Sequence, residues 1–202
     1  MPARGIGIEI TETLLRAAVV ERAKGATNIL GFYEQPIEAG DVPWADRARA
    51  ALESLRTEAR LPRAPVCAGV DSGDAHIRVI TLPVADPQEK LLKFEMEQHL
   101  AQLAAEDLVV DFKVLAQAEK STTSLCAAVP KMLLAERLSA LQAAGLDPIA
   151  VDLDLYAVLR VLLAAGSVPA EGRVLLMHGT DRFVKIALVQ DGRFVHIRSL
   201  RF

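Results

Sequence analysis

The sequence predicts a mixed α/β chain in which two β-meanders bracket helices and a separate β-α-β-β-α module. Three observations predict it. Apolar residues alternate with polar or small ones at both ends of the chain, as in Ile6, Ile8 and Ile10, the period of a half-buried strand. Between these ends, apolar residues recur at helical spacing, as in Ala48, Leu52, Leu55 and Ala59. The composition, 51% apolar and 24% charged over 202 residues, is that of a folded domain with a sizeable core.

The elements follow in order. Ile6 to Ile10, Leu14 to Val20 and Asn28 to Pro36 read as an antiparallel meander, with turns at Thr11-Glu12-Thr13 and Lys24-Gly25. Asp41 and Pro43 open a helix from Trp44 to Arg60, and Pro62 and Pro65 separate it from a buried strand, Val66 to Val70. His76 to Leu82 is the next strand, ended by Pro83. Asp86-Pro87-Gln88-Glu89 supplies an N-cap, a proline at the first helical position and a capping-box glutamate. That helix runs to about Ala104 and aligns Leu92, Met96, Leu100 and Leu103.

Leu108 to Ala116 and Thr123 to Val129 read as strands around the turn Glu119-Lys120-Ser121. A helix from Lys131 to Ala144 stops at Gly145, a C-terminal glycine. Ile149 to Leu153 is a strand and Leu155 to Ala165 a helix ended by Gly166. Val174 to His178, Phe183 to Gln190 and Phe194 to Leu200 close the chain, the last two joined by an Asp191-Gly192 hairpin turn. The opening run Ile8 to Leu15 and the closing run Leu176 to Phe183 echo each other at one offset, which pairs Glu9 with Met177.

The net charge of −3 and the 4% aromatic content exclude a general nucleic-acid binder, which needs a basic surface or a stacking platform. Cys67 and Cys126 lie in apolar strand runs with no histidine at ligand spacing, so both are expected to be buried and reduced. Neither signal-peptide nor membrane-span patterns are evident, and a cytoplasmic setting without direct membrane insertion is expected. Gly5-Ile6-Gly7 lacks the third glycine and the following helix of a dinucleotide fingerprint. Ser72, Asp74 and His76 are adjacent in sequence, the wrong signature for a triad assembled in space. Asp152 and Asp154 flank a strand end, where a helix cap is the ordinary reading.

Several runs in order resemble the PilM family of actin-like pilus-assembly proteins, relatives of the cell-division protein FtsA. Gly7-Ile8-Glu9-Ile10-Thr11 resembles the family's opening phosphate turn. Arg78-Val79-Ile80-Thr81-Leu82-Pro83 and the acidic helix around Glu95 resemble its inserted module. Asp111 to Leu115, Ala127 to Lys131, and Ala144-Gly145-Leu146-Asp147-Pro148 through Asp152 continue the likeness across the chain. The resemblance implies an actin-like ATPase (RNase H-like) half with an inserted subdomain. On it, residues 1–75 form the first part of subdomain 1A, 76–145 the inserted subdomain 1C, 146–172 the return to 1A, and 173–202 the start of subdomain 2A. The cytoplasmic part of the type II secretion protein GspL is a related, more distant likeness.

The resemblance would turn Glu9, Thr11, Thr13, Arg16 and Gly179 toward phosphates. The family places an aspartate in each half to organise Mg²⁺ and water. Here Glu9 takes the first position and, by the echo above, Met177 the second; a thioether cannot serve as a base. Thr11 replaces a glycine, and Glu12 adds a charge. A carboxylate about 4 Å from a phosphate oxygen opposes it by roughly 4 kcal/mol at an effective dielectric of about 20. That is about half the ~8 kcal/mol of a micromolar ligand.

Catalysis, a resident metal and a required ATP cofactor are therefore not expected. The implied function is a cytoplasmic scaffold, peripheral to the inner membrane, that binds the N-terminal tail of a PilN-like protein and contacts the assembly ATPase. The tail is expected in a groove beside the inserted module, with Arg78, Ile80 and Leu82 as contacts by motif position. Self-association through the uncovered last three strands is expected as well. The alternatives are an ATP-binding member of the actin and Hsp70 superfamily, and a GspL-type domain docking a secretion ATPase.

Overall fold

The computed structural model of the chain describes residues 3–86, 89–100, 104–180 and 182–202. Pro87 and Gln88 of the capping box, Leu103 of the helical stripe and Asp181 of the last turn lie outside the described residues. The chain divides into two compact units, residues 1–71 with 134–157, and residues 72–133 with 158–202.

In the first unit a five-stranded sheet has the order β3-β2-β1-β4-β8. Its meander is β1 (Ala3–Ile10), β2 (Leu14–Ala23) and β3 (Ala26–Pro36), antiparallel throughout. Helix α1 (Trp44–Glu58) carries the chain across to β4 (Val66–Val70), which pairs with β1 in parallel. The strand β8 (Pro148–Leu153) extends the parallel part. Ile6, Ile8, Ile10, Leu15, Ala17 and Val19 share one core with Ala48, Ala51, Leu52 and Leu55 of α1. Those four α1 positions are spaced i, i+3, i+4, i+7, so one helix face meets one sheet face.

In the second unit β5 (His76–Leu82), α2 (Glu89–Gln98), β6 (Leu108–Ala118) and β7 (Ser121–Pro130) build a three-stranded sheet of order β5-β7-β6. Ile80, Leu82, Leu92, Met96, Val110 and Cys126 belong to its core. Helix α2 ends earlier than the apolar spacing predicts. After Gln98 the chain tightens, with His99 N–H donating to Met96 O and Leu100 N–H to Glu97 O, bonds of the i→i+3 kind. Leu100 still packs on the module core from outside the helix.

The closing meander is β9 (Arg173–Gly179), β10 (Phe183–Gln190) and β11 (Arg193–Arg201), in the order β11-β10-β9. Asp191 and Gly192 both have positive φ (50° and 71°), as the hairpin turn predicted there requires.

Two more helices, α3 (Lys131–Ala143) and α4 (Asp154–Ala164), are continuous with both units in sequence. Gly145 sits at φ +71° after α3, its N–H donating to Gln142 O while Leu146 N–H donates to Leu141 O. This is the Schellman closure expected of that glycine. The same closure ends α1, but with Arg60 at φ +47°; Arg60 N–H donates to Thr57 O and Leu61 N–H to Arg56 O.

One cysteine expectation is corrected. Cys126 is buried, whereas Cys67 is exposed. On β4, Val66, Ala68 and Val70 point into the core and Cys67 alternates to the opposite face.

Candidate functional site

The two meanders pair their first strands in the same register. Arg4 lies opposite Glu21, Ile8 opposite Ala17, Glu9 opposite Arg16 and Ile10 opposite Leu15. In β9 and β10, Arg173 lies opposite Gln190, Met177 opposite Ile186, His178 opposite Lys185 and Gly179 opposite Val184. Each member is displaced by 169 residues, as from Glu9 to His178.

The connecting turns agree. Thr11 N–H donates to Leu14 O at 2.9 Å and Thr180 N–H donates to Phe183 O at 2.8 Å. In both, the threonine hydroxyl oxygen accepts from the same partner's N–H, at 3.0 Å from Leu14 and 3.3 Å from Phe183.

This corrects the sequence alignment by one residue. The position equivalent to Glu9 is His178, and Met177 corresponds to Ile8. A one-residue slip moves every side chain of a strand to the other face, so the expected inference from Met177 falls. What stands across from Glu9 in the repeat is an imidazole beside Lys185, which is fully buried.

In the first unit the turn's polar groups are engaged internally. Arg16 reaches Glu9 at 3.0 Å and Glu34 at 2.8 Å, tying the three strands β1, β2 and β3 together. The hydrogen bonds it donates to Glu34 and then Glu9 raise its pKa further, against the lowering effect of burial, so its charge is permanent. Thr11 is buried, and its hydroxyl donates to Leu14 O at 3.0 Å. Thr13 is exposed.

Glu12 meets Arg137 at 3.7 Å, and its carbonyl accepts from Trp44 Nε1 at 3.0 Å. The Arg137 guanidinium lies 3.6 Å from the Trp44 ring centroid. Three carboxylates, Glu9, Glu12 and Glu34, thus face two guanidiniums, a balance that does not favour an anionic phosphate. Gly179 ends β9 in the second unit.

Of the three residues expected to meet a partner, Ile80 and Leu82 are buried in the module core and Arg78 is exposed on β5. Arg78 lines a cleft of ≈ 240 Å³ with His76, His99, Ile197 and Arg198. Burial, and then the positive charge of Arg78, lower the His76 pKa, so the imidazole is neutral near pH 7. Asp74 pairs with Arg182 at 2.7 Å rather than with His76. Asp152 and Asp154 accept from the next residue's N–H at 2.8 and 2.5 Å, in keeping with a local backbone role. Among the described residues no group of three or more His, Cys, Asp or Glu side chains is placed to hold a metal.

No helix among the described residues is long and apolar enough to cross a membrane. No family model matches the sequence, and no curated protein matches it significantly. Solved structures do match the fold. A chain of a PilM-PilN type IV pilus biogenesis complex superimposes with a TM-score of 0.84 at 20% identity, covering 98% of this chain and 61% of that one. This chain therefore spans less than two thirds of that relative's length.

The cytoplasmic domain of EpsL, an inner-membrane component of the type II secretion system of Vibrio cholerae, matches at TM-score 0.64 and 16% identity, covering 98% of this chain and 71% of that one. A Bacteroides thetaiotaomicron protein of unknown function with an actin-like ATPase fold matches at 0.58 and 9%, covering 98% and 70%. The fold is thus that of actin-like ATPases, with mixed α/β sheets as the sequence predicted.

Proposed function

We propose that the chain is a PilM-like scaffold of a type IV pilus or related secretion platform, working by binding protein partners and not by turning over ATP. The observation that carries this reading is the superposition on a chain of a PilM-PilN type IV pilus biogenesis complex over 98% of this chain. The polar turn of β1 and β2 supports it, because Arg16 is held by Glu9 and Glu34 and Thr11 is closed on Leu14.

The partner is the N-terminal tail of a PilN-like inner-membrane protein, taken as an extended peptide with backbone hydrogen bonds and a few side-chain contacts. Arg78 is the exposed contact on β5, while Ile80 and Leu82 anchor that strand from within. An assembly ATPase is the second partner, and the setting is the cytoplasmic side of the inner membrane. Fluorescence anisotropy of a labelled PilN-like tail peptide tests this. Saturable binding that weakens in Arg78→Glu is expected; no change in anisotropy up to high protein concentration contradicts it.

A second reading, a type II secretion component that docks a secretion ATPase, is favoured by the match to the EpsL cytoplasmic domain. Titration with the secretion ATPase in place of the tail peptide separates the two.

A further inference from the structure

The strand β6 ends its sheet. β7 pairs along one side of it, and no strand among the described residues lies along the other. Pro130, opposite Leu108, has no N–H to give to the pairing. The bonds between the two strands therefore fall at Val109, Asp111 and Lys113, and the N–H and C=O of Val110, Phe112 and Val114 point away from the sheet. Phe112 agrees with this phase, since its N–H donates to the Asp111 carboxylate at 2.8 Å. The open edge stops at the bulge after Val114, where Arg193 Nη1 donates to Leu115 O at 2.7 Å.

That edge is its own antiparallel complement. It reads Val110-Asp111-Phe112-Lys113-Val114, so a second copy turned about Phe112 sets Val110 on Val114 and Asp111 on Lys113. Asp111 and Lys113 are both exposed, on one face of the strand. Each is already bonded within its own chain, so the cross-strand pairs select the register more than they add strength. Turning about Asp111 instead sets carboxylate on carboxylate, and turning about Lys113 sets ammonium on ammonium; both registers are rejected. On the opposite face, Phe94, Leu108 and Val110 line a groove of ≈ 530 Å³ between α2 and the edge. Phe94 is 56% and Val114 42% exposed. The second copy's Val114, set on Val110, enters this groove beside Phe94.

We propose that β6 pairs antiparallel with β6 of a second copy of this chain, about a two-fold axis through Phe112. Two three-stranded sheets become one continuous sheet, and each charge pair occurs twice, as an isologous contact requires. The second copy's strand takes the Phe112 N–H, and Asp111 turns to the second copy's Lys113. The tail-binding reading rests on Arg78 of β5, the other edge of the same sheet, so this inference stands apart from it.

Sedimentation velocity of the full chain over a concentration series tests the pairing, and a monomer–dimer equilibrium is expected. Asp111→Lys and Lys113→Asp, changes at exposed positions, should each weaken the dimer at least about tenfold, because each makes both attractive pairs repulsive. Mixing the two variants should restore a dimer of unlike chains, since two lysines on one strand then face two carboxylates on the other. Hydrogen exchange at the Phe112 amide of the unaltered chain should slow as its concentration rises, a readout that needs no variant. A chain that stays monomeric up to its solubility limit overturns the proposal. So does a dimer that neither variant weakens, or exchange at Phe112 that is independent of concentration.

Discussion

His178 stands opposite Lys185 across β9 and β10 at the place where Glu9 stands opposite Arg16 across β1 and β2. The repeat has kept its backbone register while exchanging an ion pair for two basic residue types. In the first copy Arg16 also holds Glu34, so the pair works as a clasp across three strands. Both Glu9 and Arg16 are partly solvated, which limits the energy of the clasp. A double-mutant cycle with Glu9→Ala and Arg16→Ala, read by urea denaturation, is expected to give a coupling of about 0.5 kcal/mol. The coupling should shrink as salt is added.

Arg137 is the more costly residue to lose. Its guanidinium is nearly buried, stacked 3.6 Å from the Trp44 ring centroid and 3.7 Å from Glu12. Arg137→Ala removes the stack and opens a gap beside Trp44, and should destabilise the fold by about 2 kcal/mol. Arg137→Lys keeps the charge but not the planar stack, and should lose roughly half as much. Thermal denaturation followed by Trp44 fluorescence reads both.

The two thiols should separate cleanly in a labelling experiment. Cys67 is exposed, while burial raises the Cys126 pKa to about 11. At pH 8 a disulfide reagent is expected to modify one thiol quickly and the second only on unfolding. The same shift sets a sign for stability. Between about pH 9 and pH 11 the unfolded chain loses the Cys126 proton and the folded chain keeps it. Stability therefore falls as pH rises through that window. Cys126→Ala should flatten this dependence.

The closures of α1 and α3 give a paired prediction. Gly145 at φ +71° has Arg56 Nη1 where a Cβ would be, and Arg56 Nη1 donates to Ala144 O at 2.7 Å. Gly145→Ala should cost at least about 1 kcal/mol. Arg60 holds the same left-handed conformation without glycine's freedom, and Arg60→Gly should gain up to about 1 kcal/mol. Urea titration of the two variants is expected to move the midpoint in opposite directions.

Much of the fold was legible because alternation and punctuation agree along the chain. Gly145, Gly166 and Asp191-Gly192 mark ends and turns whose φ values are positive in the structure. Where chemistry and punctuation part, legibility fails. Leu100 continues an apolar stripe after α2 has ended, whereas α1 closes at Arg60 as Pro62 predicts, though no glycine marks its left-handed residue. Cys67 lies in an apolar run, and alternation does not say which face of a strand is covered.

The echo between the meanders was visible, but its register was not. Pairing Glu9 with Met177 sets the aliphatic Ile8 on Leu176 but also Ile10 on His178 and Leu14 on Arg182. The signal that fixes the register is the threonine three residues before the next strand, Thr11 before Leu14 and Thr180 before Phe183. Arg4 and Arg173, at the far end of each pair of strands, give the same offset. His178 and Lys185 were missed for this reason.

The central claim is that this actin-like fold serves a protein partner and not a nucleotide. Thermal denaturation of the full chain, run with a PilN-like tail peptide and separately with Mg-ATP, tests it most directly. A ligand at a hundredfold its dissociation constant adds about 2.7 kcal/mol, a rise in Tm of about 5–10 °C for a chain of this size. The account predicts that rise with the peptide and none with Mg-ATP. A rise with Mg-ATP and none with the peptide would contradict it.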